Sequence, residues 1–231
     1  MIYKKPRQIN NSEYRFLTDF LKSNFIKSIN QNSNYEVSLI QEPYTGFGYA
    51  DLVCIIWDKI IYKKWSQKRN NLSFIDIKVL HHLYNSKVFK DKTQIKCELG
   101  YGISQINNSI SNLLEAELIK INKQKKVKIK PLKDIFFLKE IISIEAKLKD
   151  WKKALEQCLN NTQFASKSFA LFPAKTVKKS LIEKYKKTNV GVISFETEYK
   201  IVKNAKKYSI PSNLNSWFFN EYIGREVLGA Y

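Results

Sequence analysis

Residues 50–57, Ala-Asp-Leu-Val-Cys-Ile-Ile-Trp, are apolar on both faces of an extended strand, Asp51 apart. Successive side chains of a strand point to opposite faces, so a run with no polar face belongs at the centre of a sheet. A lone acid at the start of such a strand is conspicuous, because an unpaired carboxylate beside buried apolar surface is costly. The rest of the chain must supply neighbouring strands, helical cover and a reason for Asp51.

Residues 35–41 read as the preceding strand, followed by a hairpin-like turn at 42–48 (Glu-Pro-Tyr-Thr-Gly-Phe-Gly) in which Glu42 is a turn residue rather than a ligand. Upstream, Asn11-Ser12 offers N-cap chemistry for one helix through about Ile29, with Phe16, Leu17, Phe20 and Leu21 as its apolar stripe. After Pro131, strands are predicted at 135–138, 141–147, 168–172 and 190–195, with helices at 151–165, 176–187 and 214–228. Strands separated by helices indicate an α/β sheet.

Residues 58–71 turn polar and basic and mark a boundary, and 71–130 have a different texture. Ile75, Val79, Leu80 and Leu83 predict one helix. Asp91 and Gln94 form a capping pair for a second, stopped by Gly100. Ile103, Ile106, Ile110, Leu113, Leu114 and Leu118 recur at helical spacing over a longer third, and 121–130 can fold back as a basic hairpin. Helix, helix, longer helix and hairpin is the order of a winged helix-turn-helix, and the stretch Asn108 to Ile119 resembles the end of a recognition helix entering the wing. In that arrangement Ser104, Gln105, Asn107, Asn108, Ser111 and Asn112 face DNA, and Lys123, Lys125, Lys126 and Lys128 lie on phosphates. A module of this kind can instead serve protein contacts.

The formal net charge of +19 favours a polyanionic partner. No apolar run approaches the ~20 residues that span a bilayer, and no secretory signal is visible, so the expectation is a cytoplasmic protein without a membrane partner. Cys54, Cys97 and Cys158 form no CxxC pair and are expected as buried free thiols. His81 and His82 are adjacent on a helix and cannot share a face, which argues against a metal role.

Chemistry concentrates at Ile144-Glu145-Ala146-Lys147, where alternation points Glu145 and Lys147 to one side and Ala146 to the other. Asp51 and Glu145, with the Ala146 carbonyl, could hold a hard cation, and Lys147 could orient a water molecule or stabilise charge on phosphate. These residues resemble the PD-(D/E)XK, or restriction-endonuclease-like, superfamily: Asp51 matches the first acid, Glu145-Ala146-Lys147 the acid-x-Lys motif. The helix from Trp151 is similar to the one behind that motif, with Gln157 as its glutamine, and Glu13 corresponds in kind to a helical acid that some members carry. Ala50 stands where many members have proline, and the long separation of Asp51 from Glu145 is accounted for by the inserted segment.

The resemblance implies a discontinuous core, 1–70 with 131–231, and a winged helix-turn-helix insertion at 71–130. It also implies a restriction-endonuclease-like mixed sheet flanked by helices, Mg²⁺ (with Mn²⁺ able to substitute), no small-molecule cofactor, and hydrolysis of DNA. Pairing into a homodimer is left open by the sequence, as is an RNA substrate. The rival expectation is a non-catalytic DNA-binding transcriptional regulator on the same scaffold.

Overall fold

The computed structural model of the protein describes residues 12–29, 32–46 and 48–229. Asn11 of the expected cap and Phe47 of the expected turn lie outside them. The chain divides into two compact units, one of 12–59 with Leu138–Ser216, the other of Ile60–Phe137 with 217–229.

The first unit is a six-stranded sheet in the order β1 (Tyr35–Gln41), β2 (Leu52–Asp58), β5 (Leu138–Ala146), β6 (Lys167–Pro173), β7 (Gly191–Phe195) and β8 (Tyr199–Lys203). β2 runs antiparallel to β1 and β5, β5 to β7 run parallel, and β8 returns antiparallel. β2 is buried from Leu52 to Trp57 and has a strand on either side, as its two apolar faces require. On one face, Leu17 and Phe20 of α1 (Ser12–Leu21) and Phe25 of α2 (Phe25–Ile29) pack on Leu52, Cys54, Ile142, Ile144 and Leu171. On the other, α8 (Trp151–Asn161) and α9 (Lys179–Lys186) bring Ala154, Cys158, Leu181 and Tyr185 against Ala170, Phe172 and Val192. Phe169 and Leu171 join the first cluster while Ala170 and Phe172 join the second, the period-two alternation of a strand covered on both sides. Each large side chain so buried contributes about 2 kcal/mol.

Several local expectations change, among them the third helix of 71–130, which ends at Glu115, so that Leu118 is buried beyond it. The first helix is two, because Phe20 and Phe25 are both buried and would stand roughly 140° apart on one continuous helix. The chain breaks between them, where the Ser23 Oγ accepts from the Phe25 N–H at 3.3 Å. The strand expected at 135–138 is instead the end of α7 (Leu132–Ile135), opened by Pro131, and the strand proper runs unbroken from Leu138. α8 ends at Asn161, where Thr162 Oγ1 turns back to the Leu159 carbonyl at 2.6 Å. β8 was not expected: its edge position leaves Lys200 and Ile201 exposed, so the sequence carries no clear apolar face there.

The second unit contains α3 (Ile61–Lys64), α4 (Phe74–Ser86), α5 (Lys92–Leu99), α6 (Ile103–Glu115), the antiparallel hairpin β3 (Ile119–Ile121) with β4 (Val127–Ile129), α7, and α10 (Leu214–Val227) from Trp217 onward. Ser73 with Asp76 and Asp91 with Gln94 form reciprocal capping boxes on α4 and α5, and Gly100 ends α5 in the left-handed region at φ 72°. Ile77, Leu80, Leu83, Ile95, Ile106, Ile110 and Leu113 are buried at helical spacing. A buried ion pair also holds this unit. Arg69 donates from Nε to Glu221 Oε2 at 3.0 Å and from Nη2 to Glu221 Oε1 and the Ile135 carbonyl. Asn220 also donates to Glu221 Oε1, and the Trp65 ring lies 3.9 Å from the guanidinium.

Among the described residues no helix is long and apolar enough to cross a membrane. Cys54 and Cys158 are buried free thiols, but Cys97 is exposed, because it sits on the outward side of α5 away from Ile95.

Candidate active site

Asp51 ends the turn that leads into β2, and the antiparallel register sets Leu52 opposite Ile144 of β5. That pairing brings Asp51 to the end of β5 where Glu145, Ala146 and Lys147 follow. The Ala146 N–H donates to Asp51 Oδ2 at 2.9 Å. Ala146 points into the cluster under α1, while Glu145 is bonded by α8 on the opposite face, so the alternation separates them as expected.

Asp51, Glu145 and Lys147 are all buried. The Lys147 Nζ donates to the Ala146 carbonyl at 2.9 Å, and to Asp51 Oδ2 and Glu13 Oε2 at 3.3 Å each. Burial works against the charge on Lys147, but Asp51, Glu13 and Glu145 outweigh it and hold its pKa above the ordinary lysine value. Glu13, in the first turn of α1, is thereby joined to the cluster across the end of the sheet.

Glu145 is stabilised less completely. Asn161 Nδ2 donates to Oε1 at 2.7 Å, while Oε2 is buried with no hydrogen-bond partner. Burial, with Asp51's charge second, pushes its pKa up to about 8 against the pull of Asn161 and Lys147. Gln157 lies one turn before Asn161 on α8, on the same helix face, and its Oε1 is also buried without a partner. The neighbouring Cys158 thiol is pushed well up, first by burial and then by Glu145, and is no nucleophile.

The cluster therefore brings together Asp51, Glu145, Ala146, Lys147 and Glu13, with Gln157 on the helix that backs it. Asn161 is the member the sequence reading missed; its signal is the i, i+4 spacing from Gln157. Among the described residues no group of three or more His, Cys, Asp or Glu side chains could by itself hold a metal ion. A hard ion such as Mg²⁺ asks less of the protein, one or two carboxylates with water and substrate phosphate completing its shell. The oxygens the cluster offers toward such a shell are those of Asp51, Glu145 Oε2, which has no partner, and the Ala146 carbonyl, which already accepts from Lys147.

In the second unit, Ser104, Gln105, Asn107, Asn108, Ser111 and Asn112 all lie on the exposed side of α6. Gln105 caps its own helix by accepting from the Gly102 N–H, and Asn112 donates to Asp76 Oδ2 at 3.3 Å. Ser104, Asn107, Asn108 and Ser111 keep their side chains free. Lys123 and Lys125 are exposed at the hairpin turn, while Lys126 and Lys128 are half-buried. His81 and His82 have separate partners, Asn85 and Glu98. No protein-family model, curated protein or solved structure matches the chain.

Proposed function

We propose that the protein is a metal-dependent endodeoxyribonuclease of restriction-endonuclease-like architecture, directed to DNA by a winged-helix segment. The observation that carries this reading is the joining of Asp51 to Glu145 and Lys147, the latter 96 residues further along the sequence, by the pairing of β2 with β5 and the bonds from Ala146 N and Lys147 Nζ to Asp51 Oδ2. The antiparallel β1–β2–β5 arrangement followed by parallel β6, with α8 behind the motif, supports the architecture. The order α4, α5, α6 and hairpin, with an exposed polar face on α6, supports the winged helix.

Asp51, Glu145 and the Ala146 carbonyl would hold the cation, which when bound neutralises phosphate charge and lowers the pKa of an attacking water. Lys147 holds its proton firmly, so its role is to orient the water or to stabilise negative charge on the phosphate rather than to act as a base. Asn161 fixes the Glu145 carboxylate, and Gln157 presents a second oxygen on the same helix face. On α6, free Asn107 and Asn108 suit adenine edges, and the hairpin lysines suit backbone phosphate.

One observation favours the rival, a non-catalytic DNA-binding regulator: the Lys147 ammonium already partners the oxygens of Asp51, Glu13 and Ala146. Incubating purified protein with plasmid and linear DNA separates the two. Cleavage with Mg²⁺ or Mn²⁺, its absence with Ca²⁺ or chelator, and its loss in Glu145→Ala and Lys147→Ala with DNA binding retained are expected. Intact DNA with both active metals, despite binding, would leave the regulator.

A further inference from the structure

The turn that leads into Asp51 carries an aromatic pair that hydrolysis as described does not use. Tyr44 and Tyr49 face one another across an antiparallel bridge, with ring centroids 5.4 Å apart and planes tilted by 58°. They are 50% and 39% exposed, among the few large apolar side chains of this unit left at the surface. The hairpin beneath them is well tied. Thr45 donates to the Gly48 carbonyl from both N and Oγ1, the Ala50 N–H donates to the Pro43 carbonyl, and the Glu42 N–H donates to the carbonyl of Asp51 itself. Asn215 further donates to the Thr45 carbonyl.

Two exposed rings on a braced hairpin form a preorganised surface, since a tyrosine held this way loses little freedom on binding a flat ligand. Tyr49 is two residues from Asp51, so at most about 7 Å of chain separates their α-carbons. A platform so close to Asp51 would hold a flat ring beside the residues that the nuclease reading assigns to a phosphodiester, and a ligand that joins a flat ring to a phosphodiester is a nucleic acid. Bases inside a duplex have their faces covered by their neighbours; only an unpaired base can cover a tyrosine ring.

We propose that Tyr44 and Tyr49 form a stacking platform for an unpaired nucleobase beside the Asp51–Glu145–Lys147 cluster, so that the site takes single-stranded or locally unpaired nucleic acid. The proposal rests on the nuclease reading for its ligand class, but its test does not need cleavage. Binding of a labelled single-stranded oligodeoxynucleotide and of the matching duplex is followed by fluorescence anisotropy in chelator, over a range of salt, with the full chain.

The variant Tyr44→Ala/Tyr49→Ala is expected to lose about tenfold in affinity for the single strand, with little change on the duplex. Its slope of log affinity against log salt stays that of the wild type, because stacking releases no counterions. Tyr44→Phe/Tyr49→Phe keeps the rings and is expected to retain wild-type affinity, which also controls for folding. Unchanged single-strand affinity in the alanine variant, an equal loss on duplex, or no single-strand binding by the wild type overturns the proposal. Cleavage by a wild type whose alanine variant binds normally sinks the platform alone; stacking without any cleavage sinks the nuclease reading alone.

Discussion

The Arg69–Glu221 pair of one unit and the Asp51–Glu145–Lys147 cluster of the other are buried charges bonded to different extents. Arg69 and Glu221 are tightly bonded: the carboxylate takes bonds from Nε, Nη2 and Asn220, the guanidinium also reaches the Ile135 carbonyl, and an indole ring covers it. The cluster at the end of β2 and β5 is left incomplete, with Glu145 Oε2 and Gln157 Oε1 buried and unpartnered and the Glu145 carboxyl pushed up to about 8. A pair that serves only the fold is expected to fill its hydrogen bonds, because each unmet buried group is a loss. Unmet groups also occur in the second unit, at Ser109 Oγ, Trp217 Nε1 and Arg225 Nε; what sets the first apart is that one of its unmet groups is a carboxylate oxygen beside other charged groups.

If that contrast is right, its largest mark is on stability. Arg69→Ala strands the Glu221 carboxylate and is expected to cost about 3–5 kcal/mol by urea unfolding. Per-enzyme cleavage at a temperature where the variant stays folded should change little. A loss under 1 kcal/mol would mean that the tightly bonded pair is not what holds the second unit.

Glu145→Gln should show the reverse, a fall in cleavage of roughly two orders of magnitude or more with no loss of stability. The pH dependence carries the sign. A carboxyl whose folded pKa is raised contributes stability below its ordinary range and loses it as pH rises toward about 8. Wild type should therefore weaken relative to Glu145→Gln by roughly 1 kcal/mol per pH unit across that window and level off above it. Parallel stability curves would place Glu145 among the satisfied groups.

Asn161→Ala removes the bond to Oε1 that pulls the Glu145 pKa down, so the rise of cleavage with pH is expected to move to higher pH. Apparent metal affinity, read from the Mn²⁺ dependence of cleavage, should weaken about tenfold, as for other groups that orient a ligand. An unmoved profile would make Asn161 a packing residue. The smallest effect belongs to charge that is neither buried nor unmet: Lys64→Ala breaks an exposed pair with Asp134 and should leave the urea midpoint almost unmoved.

Asp51 was legible because an acid in an apolar strand is a local contradiction, and Glu145 because alternation sets it opposite Ala146; Lys147 follows the last residue of β5 and reaches Glu13 of α1 rather than sharing the α8 side with Glu145. The capping boxes at Ser73 and Asp91 were local too, although only the second was read from its letters. What stayed hidden depends on distance along the chain. Nothing near Arg69 points to Glu221, 152 residues on. Asn161 gains meaning only once α8 lies behind β5, and the exposure of Tyr44 and Tyr49 depends on how their hairpin is braced. β8 escaped because an edge strand need not show a buried face.

The stretch of about 80 residues between β2 and β5 has a consequence for how the protein is made. β2 leaves the ribosome several seconds before the strand it pairs with, at synthesis rates of about 5–20 residues per second. Until then Leu52 to Trp57 can be covered on only one edge, by β1, and offers an apolar template to other nascent chains. Speeding elongation through 59–137 should shorten that wait and raise the soluble yield, while codons that slow it should favour aggregates.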